Sequence, residues 1–413
     1  MLLGQKPCPD CEPAQVNHRV LFYSACLGLV VKPLFRPLNS LFRIVFSPFS
    51  ASSFDVVGPL VLRLLAFLHI GNMQSEIADD DSDRTRALWT EAHIRGIHMV
   101  EYRLGPIKDL FIARCGGQTR CFDGLPRPRG GESASLYWMD NKAEMRKRFA
   151  EAGIPVARGG ARLFRNQALA LFRTLDKPVI TKPYTGSRSR HTTIHLQTES
   201  QFIAAWKKAR QLSPLVLIEE ELSGFVFRGT LIGGTLTAVM RREPPGVWGD
   251  GVHTVLELVE EENKNPKRHG KTFHLIAMGP DADEELKRQG LSLGDIPEEG
   301  RFVSLNQKVS RGIGAGTTDV TDSMHPENRK LLERVGALLN DPLVGVDFIM
   351  QDVSVPWQMQ KKSGVIECNS LPFIDLHHYP LRGASRNVAG TLWDIIFPDS
   401  AQAKTKLHIG SLN

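Results

Sequence analysis

The segment that most constrains this chain runs from Leu343 to Pro372, LVGVDFIMQDVSVPWQMQKKSGVIECNSLP. Its ends read as two short apolar strands, LVGVDFIM and GVIECN, joined by a polar, lysine-bearing connection. Side chains alternate faces along a strand, so Glu367 and Asn369 are expected on one side and Ile366 and Cys368 on the other. Asp347 interrupts the first strand in a similar manner. A carboxylate in an apolar strand is costly to bury unless something positive holds it. Three oxygen ligands, Asp347, Glu367 and Asn369, can converge on one face. Such a set suits a hard cation like Mg²⁺, which shares its oxygen ligands with nucleotide phosphates. An edge pair with a solvated acidic face is the other reading of the same residues.

A chain of 413 residues has room for two or three domains, or for one enzyme core built from subdomains. The net charge of +6 suits anionic small molecules as well as nucleic acid. No aromatic-interleaved basic tract or zinc-finger spacing favours the latter. Cysteines at 8, 11, 26, 115, 121 and 368 are too scattered for a disulfide framework and point to a reducing cytoplasm. Cys8 and Cys11 form a lone CxxC; without a second CxxC or paired histidines it is weak evidence for zinc. Val20 to Val31 and Ile44 to Phe54 are apolar, but Lys32, Arg36, Arg43 and Arg63 keep each run short of a membrane span. No transmembrane helix and no signal peptide are expected. Residues 1–72 hold six Lys/Arg against three Asp/Glu. Helices that cover the protein's own surface are expected there, with a weak membrane-surface or partner contact as the alternative.

Further along, the acidic run from Asp79 to Asp83 marks a helix start. HMVEYRL and DLFIARCGG follow as strands, and residues 73–138 read as a small α/β subdomain. In MDNKAEMRKRFAEAGIPV, Asn141 and Glu144 have capping-box spacing. Lys142 then sits in the first turn, where it opposes the helix dipole. It is a candidate phosphate ligand, a solvated lysine being the plain alternative. The strand VITKPY carries Lys182 and runs into the loop TGSRSRHTT, whose Gly186, Ser187 and Arg188 suit an anion. LVLIEEELSG ends in Glu219, Glu220 and Glu221, of which at most two can share a face. FVFRGTLIGGTLTAVMRREPP reads as a hairpin with Arg228 on its first strand and Arg241 and Arg242 closing the second. HGKT at 269–272 fails as a Walker A ending, because position 265 is Asn. The helix opened by Pro326 places Leu331, Leu332, Val335, Leu338 and Leu339 on one stripe.

Residues 139–398 resemble the ATP-grasp superfamily, and within it the ATP-grasp domain of cyanophycin synthetases and related carboxylate-amine ligases. The carriers are MDNKAEMRKRFAEAGIPV, VITKPYTGSRSRHTT, LIEEELSGFVFRGTLIGG, RREPPGVWGDGVHTVLELV, DVTDSMHPEN, and above all VGVDF followed by IECNSLP. The resemblance implies an α+β ATP-grasp fold, with two α+β subdomains sandwiching ATP. A small α/β subdomain and an apolar, basic helical segment would precede it, and 399–413 would be a tail. It implies Lys142 and Lys182 on ATP phosphates; from their own chemistry Gly186, Ser187 and Arg188 of the loop, and Arg228, are further candidates for binding phosphate or substrate. Glu219, Glu220 and Leu222 would line the adenine, and Asp347, Glu367 and Asn369 would hold Mg²⁺. The implied activity is ATP- and Mg²⁺-dependent joining of a carboxylate to an amine through an acyl phosphate, on an amino-acid or peptide-like substrate. Arg242, Arg311 and His253 are the candidate catalytic residues. Asp375, His377 and His378 lie where relatives bind the acceptor.

The sequence also departs from that pattern. Val226 stands where D-alanine ligases place an acid on the ribose. Gly345 stands where they place an arginine before the metal aspartate, and Arg242 or Arg311 is the expected substitute. Ser189 occupies a glycine position of the phosphate loop. The Mur-ligase-like half of cyanophycin synthetases has no counterpart in these 413 residues, so one type of amide bond is expected. Two alternatives stand beside the ligase: a phosphotransferase that stops at phosphorylation, and a nucleotide-binding regulator or scaffold without catalysis.

Overall fold

The computed structural model describes residues 8–11, 15–29, 51–105, 107–128, 136–139, 142–185 and 190–400. Asn141, the loop residues Gly186, Ser187, Arg188 and Ser189, and all but the first two residues of the tail lie outside them.

Strands β1 (Asn72–Gln74), β2 (His98–Leu104), β3 (Ile107–Cys115) and β4 (Gln118–Asp123) form an antiparallel meander. Helix Asp83–Ile94 opens where the acidic run predicts, with the Ser82 hydroxyl accepting the Thr85 N–H at 3.1 Å. It does not form a core of its own. Leu88, Trp89, Phe111 and Phe122 pack with Trp393 of the C-terminal helix Val388–Ile396, so this small sheet shares its interior with the end of the chain. The helix Ala51–Phe67 lays Leu62 on Tyr102, Ile112 and Cys121. That face covers the protein's own surface, as expected, while Val56, Leu60, Leu64 and Phe67 point to solvent. Among the described residues no helix is long and apolar enough to cross a membrane.

The next lobe is a four-stranded antiparallel sheet of β5 (Gly159–Arg162), β6 (Val179–Pro183), β7 (Thr193–Leu196) and β8 (Val216–Glu220), in the order β5-β8-β6-β7. Helices Arg165–Thr174 and Glu199–Ala209 cover one face, where Phe172, Phe202, Trp206, Val216 and Ile218 are buried together. Alternation therefore turns Ile180 and Lys182 of β6 to the other face.

The second lobe is built on β9 (Phe225–Ile232) and β10 (Thr235–Glu243). Their hairpin turns at Gly233 and Gly234, with φ of 60° and 82°, a region glycine enters without strain. The short pair β11 (Gly246–Trp248) and β12 (Phe302–Ser304) carries a helical insertion. β13 (Gly316–Asp319), β14 (Leu343–Met350) and β15 (Gly364–Asn369) complete a five-stranded sheet in the order β13-β10-β9-β14-β15. Helix Pro326–Leu339 buries Leu331, Leu332, Val335 and Leu339 against its back. Leu338, expected on that stripe, is turned outward at its edge.

The strict alternation expected for β15 does not hold. Asp347 pairs with Glu367, but the next residue, Phe348, pairs with Val365, which leaves Ile366 as a bulge. An extra residue rotates the side chains around it. Cys368 stays buried in the core, while Ile366 joins Glu367 on the open face.

Candidate active site

Between the two sheets lies a cleft of about 440 Å³. Its first wall is β6 and the start of helix Lys142–Glu151, which bring Lys182 and Lys142 to the cleft. Lys182 reaches Glu219 at 2.7 Å, and Arg146, one helical turn beyond Lys142, reaches the same carboxylate at 2.5 Å. Burial alone would push the Glu219 carboxyl up, but Lys182 and Arg146 outweigh it and hold the group below its usual range. Burial lowers the Lys142 ammonium, and Lys182 lowers it further, with Glu367 and Glu219 opposing. Two lysines thus share one buried corner, an arrangement that an incoming anion relieves.

All three acids after β8 are held. Glu219 faces the lysines, Glu220 takes Arg158 at 2.6 Å, and Glu221 takes the His195 ring at 2.7 Å. Glu219, Glu220 and Leu222, expected beside the adenine, all line the cleft, with Ile180, Phe225, Val226, Phe302 and Ile349. The apolar residues among them form a slot of the kind a flat heteroaromatic ring fills.

The second wall is the five-stranded sheet. One row across it reads Asp319, Met240, Arg228, Asp347, Glu367. Arg228 and Asp347 are 3% and 5% exposed, and the guanidinium grips both carboxylate oxygens, Nη2 to Oδ2 at 2.6 Å. That pairing raises the Arg228 guanidinium despite burial. A Cβ on Gly345 would stand 2.9 Å from Pro372 and 3.5 Å from Arg228 Nη1. Arg228 of the neighbouring strand therefore occupies the space that an arginine at 345 would need. Arg228, rather than Arg242 or Arg311, grips Asp347 directly. Arg242 is close behind, lining the cleft with Nη1 3.7 Å from Asp347, and burial depresses its guanidinium. Arg311 turns instead to Asp375 at 2.8 Å.

Two other residues sit differently from expectation. His253 is exposed, bound to Asp250 at 2.6 Å in the turn before helix Val255–Asn263, and it is not among the cleft residues. His377 is fully buried with Nε2 on the Thr230 hydroxyl at 2.8 Å, and burial pushes it down to about 3. His378 accepts the Ala389 N–H at 2.9 Å. Neither histidine is among the cleft residues. His195, Glu285, Arg288 and Gln307 also line the cleft and carry no sequence signal, whereas Arg190 belongs to the phosphate-type loop. Arg146, bound to Glu219, left a signal in its four-residue spacing from Lys142.

The site suits ATP and Mg²⁺. Arg228 Nη1 is buried with no hydrogen-bond partner among the described residues, an orphaned cationic donor that a phosphate oxygen would satisfy. Glu367 faces the cleft beside the Arg228–Asp347 pair, and Asn369 stands two residues further on. This all-oxygen donor set suits a hard divalent cation.

Comparison with known proteins agrees with this geometry. No family model matches the chain. Cyanophycin synthetase of Nostoc sp. is 31% identical over 269 residues, covering 64% of this chain and 30% of its own length. The glutathione biosynthesis bifunctional protein of Mannheimia succiniciproducens is 32% identical over 269 residues, covering 63% and 36%. The chain thus spans about a third of the length of these curated relatives. The crystal structure of a bifunctional glutathione synthetase from Pasteurella multocida superposes with a TM-score of 0.57 at 27% identity, over 76% of this chain and 43% of that one. With a lysine-lined lobe facing a carboxylate-bearing sheet across one cleft, these relatives support an ATP-grasp superfamily relationship for the chain.

Proposed function

We propose that the protein is an ATP- and Mg²⁺-dependent carboxylate-amine ligase. The observation that carries this reading is the cleft itself. Lys142 and Lys182 share a cleft with Glu367 and Arg242, partly lined by apolar residues, and the buried Arg228–Asp347 pair lies next to Glu367 and Arg242. Phosphoryl transfer asks mainly for positioning and charge neutralisation, and these residues offer both without a protein nucleophile. Lys142 and Lys182 bind the phosphates, while Arg228 and Arg242 neutralise charge at the carboxylate being activated. Glu367, Asp347 and Asn369 would hold Mg²⁺, which would neutralise and orient phosphate oxygens.

In the reaction the substrate carboxylate oxygen attacks the γ-phosphorus and the bond to ADP breaks. The amine nitrogen then attacks the acyl carbon, loses a proton and expels phosphate. His377, neutral and enclosed, is not placed to take that proton. The substrate is an amino acid or peptide-like acid, as the names of the relatives suggest.

ADP and phosphate release against a panel of amino acids, dipeptides and amines tests the reading, with mass spectrometry of the product. Stimulated release with an amide product is expected. Release of ADP with a stable phosphorylated acid would make the protein a phosphotransferase instead. Tight ATP binding with no stimulation by any acid would favour the regulator.

A further inference from the structure

The lone CxxC at the beginning of the chain is not alone in the folded protein. Cys8, Cys11, His18 and His191 bring their side-chain donor atoms within 4.8 Å of one another. His18 follows seven residues after Cys11, but His191 arrives from 180 residues away, at the far end of the 185–190 stretch. Cys11 and His191 are 0% and 1% exposed.

Three distances test whether the group is the size of a coordination shell. Cys11 Sγ lies 3.3 Å from His18 Nε2 and 3.5 Å from His191 Nε2, and Cys8 Sγ lies 3.5 Å from the same His191 atom. With Zn–S about 2.3 Å and Zn–N about 2.05 Å, a tetrahedral angle separates S from N by about 3.6 Å. The cluster therefore has the edge lengths of a tetrahedral site. The outer partner of His191 is also in place. Its Nδ1 is 2.9 Å from the Lys208 carbonyl oxygen, which can only accept, so Nδ1 carries the proton and Nε2 turns its lone pair inward. Lys208 in turn binds Asp10 at 2.7 Å, a second tie between the same two segments.

We propose that Cys8, Cys11, His18 and His191 form a structural Zn²⁺ site that fastens the segment 8–18 to the lobe bearing Lys182. Four protein ligands leave no open position, so the site is structural rather than catalytic. Two thiolates and two neutral imidazoles balance the ion's charge. The soft donor set separates it from the oxygen-lined cleft.

The test uses the full chain purified without chelator, with elemental analysis for zinc and a Co²⁺ titration of the metal-stripped protein. About one zinc per chain is expected, and Co²⁺ should give the intense visible bands and thiolate charge transfer of a tetrahedral site. Cys11→Ser and His191→Ala should each lower zinc to a tenth or less. Hydrogen exchange across 190–209 should accelerate in Cys11→Ser, while exchange in the β14–β15 pair stays unchanged. If a variant fails to fold, the Co²⁺ spectrum of the wild type decides. Zinc below a tenth per chain with no Co²⁺ thiolate band overturns the site. So does an intact mass 2 Da low under reductant-free conditions that maps to a Cys8–Cys11 disulfide.

Discussion

Two clusters of donor atoms sit within this molecule, and they are assembled in opposite ways. The cleft cluster, Asp347, Glu367 and Asn369, comes from two strands that are neighbours in both sequence and sheet, and every donor is oxygen. The Cys8, Cys11, His18 and His191 cluster joins the two ends of a 183-residue separation with sulfur and nitrogen. The first is held by the ladder that would exist in any case and has one neutralising partner, Arg228, on the adjacent strand. The second joins segments far apart in sequence, and the proposed metal would fasten them. Ligand softness would therefore match the proposed roles, a hard and exchangeable cation beside the chemistry and a borderline-soft one as a fastener.

Exchanging the roles of the two clusters is the way to break this comparison. Removing the cleft carboxylate has the largest expected effect: Glu367→Gln should lower turnover by about 10³-fold, the scale of losing a transition-state electrostatic partner. Zinc content should not change. Steady-state ADP release and elemental analysis on the same preparation check both. A variant that keeps turnover would remove Glu367 from the metal shell. Next in size is Arg228→Ala, which leaves Asp347 buried without its partner and should cost about 3–5 kcal/mol of stability in urea titrations. The pair Arg228→Leu with Asp347→Leu should recover much of that stability and none of the activity. Recovery of both would mean the pair is only structural.

How much of this was legible follows from the same contrast. Asp347, Glu367 and Lys182 each interrupt an apolar strand, and an interruption of period two is visible in a sequence. Lys142 was visible because it opposes its own helix dipole. The Arg228–Asp347 grip was not legible, since it depends on the register of β9 against β14, and neither was the bulge at Ile366. His191 was hidden for a plainer reason: nothing local marks a histidine whose partners are 173 and more residues away in the chain. His377 left two readings open, an acceptor-side base or a packed histidine. It stands just after the metal strand, yet it packs under Thr230.

That burial gives a smaller, pH-dependent effect. The folded His377 stays neutral down to about 3, whereas an unfolded one titrates near 6.5. Between those values the unfolded chain binds the extra proton, so stability is complete above the unfolded value and falls as pH drops below it. The slope from this group is about 1.4 kcal/mol per pH unit. Urea midpoints at pH 7 and pH 5 should differ by more in the wild type than in His377→Asn. Lys142 works at the other end of the scale: with its ammonium lowered by burial and Lys182, ATP affinity should begin to fall below the usual lysine range as pH rises. Lys142→Arg should move that fall to higher pH, measured by ATP titration.

The smallest effect belongs to His253, the histidine that the sequence placed at the chemistry and the structure places at the surface. Its ring nitrogen binds Asp250, and two backbone N–H groups of the same turn bind that carboxylate as well. The Asp250 carboxylate raises the imidazole above its ordinary value, and the pair lies in a turn open to water. An exposed pair of this kind contributes little to a fold, and no cleft residue depends on it. His253→Ala should therefore leave turnover within twofold and zinc content unchanged. Two-dimensional NMR should find the His253 ring titrating above the ordinary histidine value, and returning to it in Asp250→Asn. A tenfold loss of turnover in His253→Ala would instead require this turn to close over the cleft during the reaction.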